Sequence, residues 1–101
     1  MPQIANRYRV PVIPFSSGTS LEGHFTAPYG GICIDISNMN KIKEFHAEDG
    51  DMVVEAGARW EDINLWLKEK SVDLFFPIDP GPGASIGGMI STGCSGTNAV
   101  R

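Results

Sequence analysis

Apolar positions along this chain form short β-branched runs first and a helical stripe later. Val10-Pro11-Val12-Ile13-Pro14-Phe15 is a compact run bounded by prolines and predicts a short buried strand. Gly30-Gly31 punctuates the chain before Ile32-Cys33-Ile34-Asp35-Ile36, a second strand in which Cys33 reads as a small core residue. Met39, Ile42 and Phe45 alternate loosely, as a turn followed by a third short strand would. Asp49-Gly50-Asp51 is a turn signal, and Met52 to Ala56 is the strand that leaves it. Ile4 to Tyr8 reads as the tail of a helix behind Pro2.

The period then changes. From Arg59 to Lys70, Trp60, Ile63 and Leu67 recur at helical spacing with Trp66 beside them. Glu61 and Asp62 open this helix and Lys68 and Lys70 close it, which suits the helix dipole. The helix is expected to cover the strands, with both tryptophans in the core. Leu74-Phe75-Phe76 leads into a stiff turn over Pro77 to Gly83, after which Ser85 can cap a short glycine-rich helix from Ile86 to Thr92. Strands and helices in this order predict an α/β (α+β) layer structure of short, mostly parallel strands covered by helices.

Composition narrows the function classes. The 101 residues make one domain or part of one, and 42% apolar with 20% charged residues is ordinary for a globular chain. The net charge of −4, with basic residues scattered, excludes the basic stripe that nucleic acid or an anionic membrane requires. No apolar run approaches the ~20 residues of a membrane span. Met1 to Arg9 carries no signal-peptide core, so the segment gives no address. Cys33 and Cys94 are far apart and fit a reduced compartment; with only His24 and His46 besides, no metal-ligand spacing exists. His46 reads as an exposed strand or turn residue.

Two small-residue segments remain as candidate chemistry. Ser16 to Gly23 can turn its backbone amides into an anion-binding concavity, with Thr19 and Ser20 adding hydroxyls and Gly18 and Gly23 admitting a ligand closely. A diphosphate suits such a loop, and a polar surface turn suits the composition equally. Asp79 to Asn98 alternates prolines, glycines and hydroxyls. Gly87-Gly88 inside a helix costs roughly 1 kcal/mol per glycine relative to alanine, so close packing against another backbone or a flat ligand is expected to compensate. The residues alone leave open whether this is a ligand surface or a packed connection. His24, next to the first loop, is open between ligand contact and a structural role. Gly81-x-Gly83 with Gly87 is no dinucleotide fingerprint, because Pro80 and Pro82 break the strand–turn–helix context. No Walker lysine and no Ser-His-Asp set is present.

Pro11 to His24 (PVIPFSSGTSLEGH) resembles the pyrophosphate loop of the vanillyl-alcohol-oxidase (PCMH) type FAD-binding domain. Phe76 to Arg101 (FPIDPGPGASIGGMISTGCSGTNAVR) resembles that family's second flavin-contacting stretch, and Val53 to Gly57 followed by the Trp60 helix keeps the family's order. The wording is most similar to the branch of D-lactate dehydrogenases (cytochrome) and glycolate oxidase flavin subunits, above all its fungal mitochondrial members. The resemblance implies FAD as cofactor, a D-2-hydroxy acid such as D-lactate as substrate, cytochrome c as electron acceptor and a mitochondrial location. It implies that Ser16, Ser17, Gly18, Thr19, Ser20, Gly23 and His24 hold the diphosphate. Pro80, Gly81, Ala84, Ser85, Gly87, Gly88, Thr92, Ser95, Gly96 and Asn98 are implied on the ribityl and isoalloxazine side. Many relatives carry glycine where this chain has Ser16 and Ser17, which predicts strain if that turn needs positive φ. The rest of the FAD domain and the cap domain with its catalytic residues are expected beyond Arg101. The chain is therefore expected to hold no catalytic acid or base and to bind FAD poorly alone. The alternatives are another oxidase of the family, for glycolate or 2-hydroxyglutarate, and a non-catalytic α/β binding module.

Overall fold

A computed structural model describes residues 2–21, 23 and 25–98. The elements run α1 (Pro2–Arg7), β1 (Val12–Phe15), β2 (Ile32–Asp35), β3 (Ile42–His46), β4 (Asp51–Val54), α2 (Trp60–Glu69) and α3 (Ile86–Thr92). The strands form two separate pairs. β1 and β2 are parallel, with Val12 opposite Ile32 and Phe15 opposite Asp35. β3 and β4 are an antiparallel hairpin, with Phe45 opposite Met52 and a register shift between Ile42 and Glu44.

Each strand has one inward face. In β1, Ile13 and Phe15 are half-buried while Val12 and Pro14 are exposed; in β2, Ile32 and Ile34 turn inward and Cys33 and Asp35 outward. Two expectations are corrected here. The first run is a half-buried strand of four residues, not a buried one. Cys33 is exposed rather than a core residue, because the period-2 alternation of β2 gives the inward positions to its isoleucines.

The core lies between α2 and the hairpin. Ala58, Ile63 and Leu67 are buried, with Ile42, Phe45, Met52, Val54 and Trp66 packed around them. Full burial of Ile63 and Leu67 stabilises by about 1.5–3 kcal/mol each. Trp66 meets Phe45 edge-on at 5.3 Å, so it borders this core; Trp60 is half-buried. α2 ends where Ser71 enters the left-handed region at φ 55°, with Ser71 N–H donating to the Lys68 carbonyl and Val72 N–H to that of Leu67. Gly57, just before α2, must be glycine: a Cβ there would lie 2.7 Å from the Met39 carbonyl and nearer still to that of Ile36. Through Gly57 the exit of β2 is pressed against the entry to α2.

Candidate functional site

The first candidate loop leaves the end of β1. Gly18 sits at φ 66°, where a Cβ would touch the Phe15 ring at 3.0 Å, so sterics and backbone both select glycine. Phe15 meets Phe25 edge-on at 5.9 Å, giving the loop an aromatic floor. Ser16 and Ser17 have ordinary negative φ: among the described residues positive φ outside glycine occurs at Arg9 and Ser71. The strain expected at these serines is absent, because Gly18 alone takes the left-handed step of that turn. Ser17 and Thr19 are exposed; Ser16 and Ser20 are half-buried.

The second segment is held along the chain that enters α2. Gly87 N–H donates to the Ala56 carbonyl and Ile86 N–H to that of Ala58, both at 2.8 Å, and Trp60 N–H reaches the Ala84 carbonyl at 3.4 Å. Arg59 and Ser85 pair as an antiparallel bridge. Beyond the backbone ladder, Gly83 N–H donates to Glu61 Oε1 at 2.7 Å and the Trp60 indole N–H to the Gly81 carbonyl at 3.4 Å. Ser85 caps α3 by accepting from Gly88 N–H, and Gly93 closes the helix at φ 61°.

The two segments meet. A Cβ on Gly83, itself at φ 85°, would lie 3.7 Å from Ser17 Cβ, which places the second turn against the first loop. Asp79 and Gly96 are likewise in contact, so the start and end of the second segment close on one another.

Within this arrangement the candidate residues have different surroundings. Gly81, Gly88, Thr92 and Ser95 are exposed, and Pro80, Gly87, Gly96 and Asn98 half-buried. Ala84 and Ser85 are buried at 5% and 4% exposure, so each acts through its backbone or its cap rather than as a surface group. Thr92 Oγ1 donates to the Gly88 carbonyl at 3.0 Å, leaving its lone pairs for a ligand. Gly87 answers the compensation argument, since its Cβ would meet Ala56 Cβ at 2.9 Å; Gly88 has only the Ser85 hydroxyl nearby. Gly23 is half-buried at φ 72°, and His24 lies outside the described residues.

No Lys or Arg occurs between Val10 and His24 or between Asp79 and Asn98. Within their own residues the two segments offer backbone amides and hydroxyls rather than cationic side chains. His46 lies elsewhere, on the hairpin, with Asp51 Oδ1 at 2.6 Å and Glu44 at 3.6 Å. Among the described residues no group of three potential metal ligands occurs, and no helix is long and apolar enough to cross a membrane. Glu61, Trp60 and Gly83 escaped the sequence-based site. Glu61 showed there only as a charge favourable to the helix dipole.

Comparison with known proteins gives the family. The family model described as FAD binding domain matches residues 2–101. The mitochondrial D-lactate dehydrogenase (cytochrome) of Arabidopsis thaliana is 55% identical over 96 residues, covering 95% of this chain and 17% of that protein. The protein of the same name from Kluyveromyces lactis is 51% identical over 102 residues, covering 98% and 17%. A D-2-hydroxyglutarate dehydrogenase from Xanthomonas citri pv. viticola is 31% identical over 99 residues, covering 96% and 21%. The chain thus spans roughly a fifth of the length of these relatives.

Proposed function

The chain belongs to the FAD binding domain family, and from that premise we propose that it forms the cofactor-holding part of an FAD-dependent dehydrogenase that oxidises D-lactate to pyruvate. The observation that carries the reading is the meeting of the two glycine- and hydroxyl-rich segments at Gly83 and Ser17.

The residues present fit the cofactor. Gly81 has no atom within 4 Å of an added Cβ, and Gly88 only the hydroxyl of its own helix cap, so both leave backbone open to a flat group. The loop from Ser16 to Ser20, with Gly23, holds the diphosphate through amides and hydroxyls. His24 joins it on resemblance alone. Pro80, Gly81, Gly88, Thr92, Ser95, Gly96 and Asn98 orient the ribityl chain and the ring system. Ala84, Ser85 and Gly87 fix the backbone beneath them. When bound, the flavin supplies the acceptor for the hydride leaving the α-carbon of the hydroxy acid. This chain's own part is to bind, orient and exclude water.

Cytochrome c as electron acceptor and a mitochondrial location complete the reading, supported by the names of the two D-lactate relatives. A second reading, oxidation of D-2-hydroxyglutarate, draws on the 31% identical relative, and the gap to 55% favours lactate. The test is to purify the protein from its natural reading frame and record its visible spectrum with D-lactate, L-lactate and D-2-hydroxyglutarate. Flavin bands that bleach with D-lactate first support the reading. A colourless protein, or one bleached only by hydroxyglutarate, overturns it.

A further inference from the structure

We propose that Glu61 is a positioning residue for the cofactor, locking the second flavin segment against the first loop through the Gly83 amide. The inference rests on the FAD reading above. Along residues 56–60 the second segment is held by backbone carbonyls and amides, as a short antiparallel ladder. At Gly83 that supply ends. Glu61 already lies inside α2, where main-chain carbonyls point along the axis to the next turn, and Gly83 turns away at φ 85°. A side chain must therefore provide the acceptor, and Glu61 Oε1 does so at 2.7 Å. Gly83 also faces the first loop, since a Cβ added there would lie 3.7 Å from Ser17 Cβ, so the hydrogen bond sets how the second segment is presented to the first.

Two features mark this as a built contact. Glu61 stands in the first turn of α2, where the helix dipole favours its charge. Its Oε2 is buried with no hydrogen-bond partner among the described residues, a cost that an ordinary surface glutamate avoids by pointing into water. A chain without need of the Gly83 contact would release this carboxylate.

The test uses the protein purified from its natural reading frame, its FAD removed and titrated back, with Glu61→Ala, Glu61→Asp and Glu61→Gln alongside. The Ala variant removes the acceptor. The Asp variant keeps the charge and loses the reach, whereas the Gln variant keeps an acceptor of the same length. Loss of a hydrogen bond to a charged group predicts an FAD dissociation constant raised roughly tenfold in the Ala and Asp variants and restored to within about threefold by Gln. Amide exchange in the FAD-free protein is expected to quicken at Gly83 in the first two variants only. Wild-type affinity in the Ala and Asp variants overturns the inference and leaves the FAD reading standing. A wild-type protein that takes up no FAD overturns both. A Gln variant as weak as Ala also overturns it, since charge rather than a reaching acceptor would then be at work.

Discussion

Neighbouring glycines at 87 and 88 do opposite work. A methyl group on Gly87 would press on Ala56 Cβ at 2.9 Å and on the Ala56 carbonyl at 3.0 Å, while one on Gly88 meets only the Ser85 hydroxyl at 3.2 Å. Alanine gains about 1 kcal/mol of helix propensity at either site, but overpacking against fixed backbone costs about 1–3 kcal/mol. Gly87→Ala is therefore expected to lower the denaturation midpoint and Gly88→Ala to keep or raise it; equal midpoints would refute the packing argument. The sequence announced that a pair of glycines in a helix needs compensation. It could not say which of them faces Ala56, because that depends on how α3 docks on a segment thirty residues away in sequence. Asp35 shows a smaller effect of the same local kind. Its carboxylate accepts from the Ser37 hydroxyl at 2.5 Å and the Ser37 amide at 2.9 Å, and these bonds lower its pKa below 3.8. The depressed value means that the turn's contribution is fully present above pH 3.8 and is lost as pH falls through the folded-state pKa. In an NMR titration the Ser37 amide should report a midpoint below the ordinary value of 3.8, and a midpoint at or above it would contradict the assignment.

Both longer helices end in the same motif with different residues. α3 closes on Gly93 at φ 61°, with Cys94 N–H donating to the Met89 carbonyl, whereas α2 closes on Ser71 at φ 55° with Val72 N–H donating to that of Leu67. A serine pays a steric penalty in that region that glycine avoids. Ser71→Gly is expected to stabilise the chain by about 0.5–1 kcal/mol after the extra entropy of the unfolded glycine is subtracted, read from a urea transition with unchanged slope. A destabilised variant would mean that the Ser71 side chain contributes something its backbone does not reveal. Elements were legible wherever one period ran long enough, as in α2, and wherever β-branched runs met turn residues, as in β2 and β4. Pairing was not legible. Parallel β1–β2 and antiparallel β3–β4 are decided by non-local contacts, and a two-stranded sheet exposes one face that a continuous apolar run such as Val10 to Phe15 does not betray. Glu61 was hidden for a related reason: its partner, Gly83, lies twenty-two residues on in a turn that has no period.

At the scale of the molecule, burial is thin. Among the described residues the buried apolar side chains are Ala5, Ala58, Ile63, Leu67, Ala84 and Met89, and three of these six are alanines. The radius of gyration is 15.5 Å and the extents are 48 × 26 × 19 Å, whereas a compact chain of this length has a radius near 13 Å. Leu21, Tyr29 and Ile90 are exposed at 101%, 93% and 76%, and Ile90 borders an apolar groove of about 270 Å³ with Phe76, Ile78, Ile86 and Met89. A chain that leaves so much apolar surface in water retains little of the hydrophobic free energy that must offset its conformational entropy. The 101-residue chain by itself is therefore expected to melt broadly, below the ~45–65 °C range of ordinary domains, and to bind a hydrophobic dye before it melts. FAD in large excess should sharpen and raise the transition, since a ligand bound to the folded form adds about 2.7 kcal/mol at a hundredfold over its dissociation constant. FMN, which lacks the diphosphate assigned to the Ser16–Ser20 loop, should raise it less. A sharp, dye-silent melt above that range would show that the groove is better closed than its lining suggests. Equal shifts with FAD and FMN would remove the diphosphate from the first loop while leaving the flavin on the second.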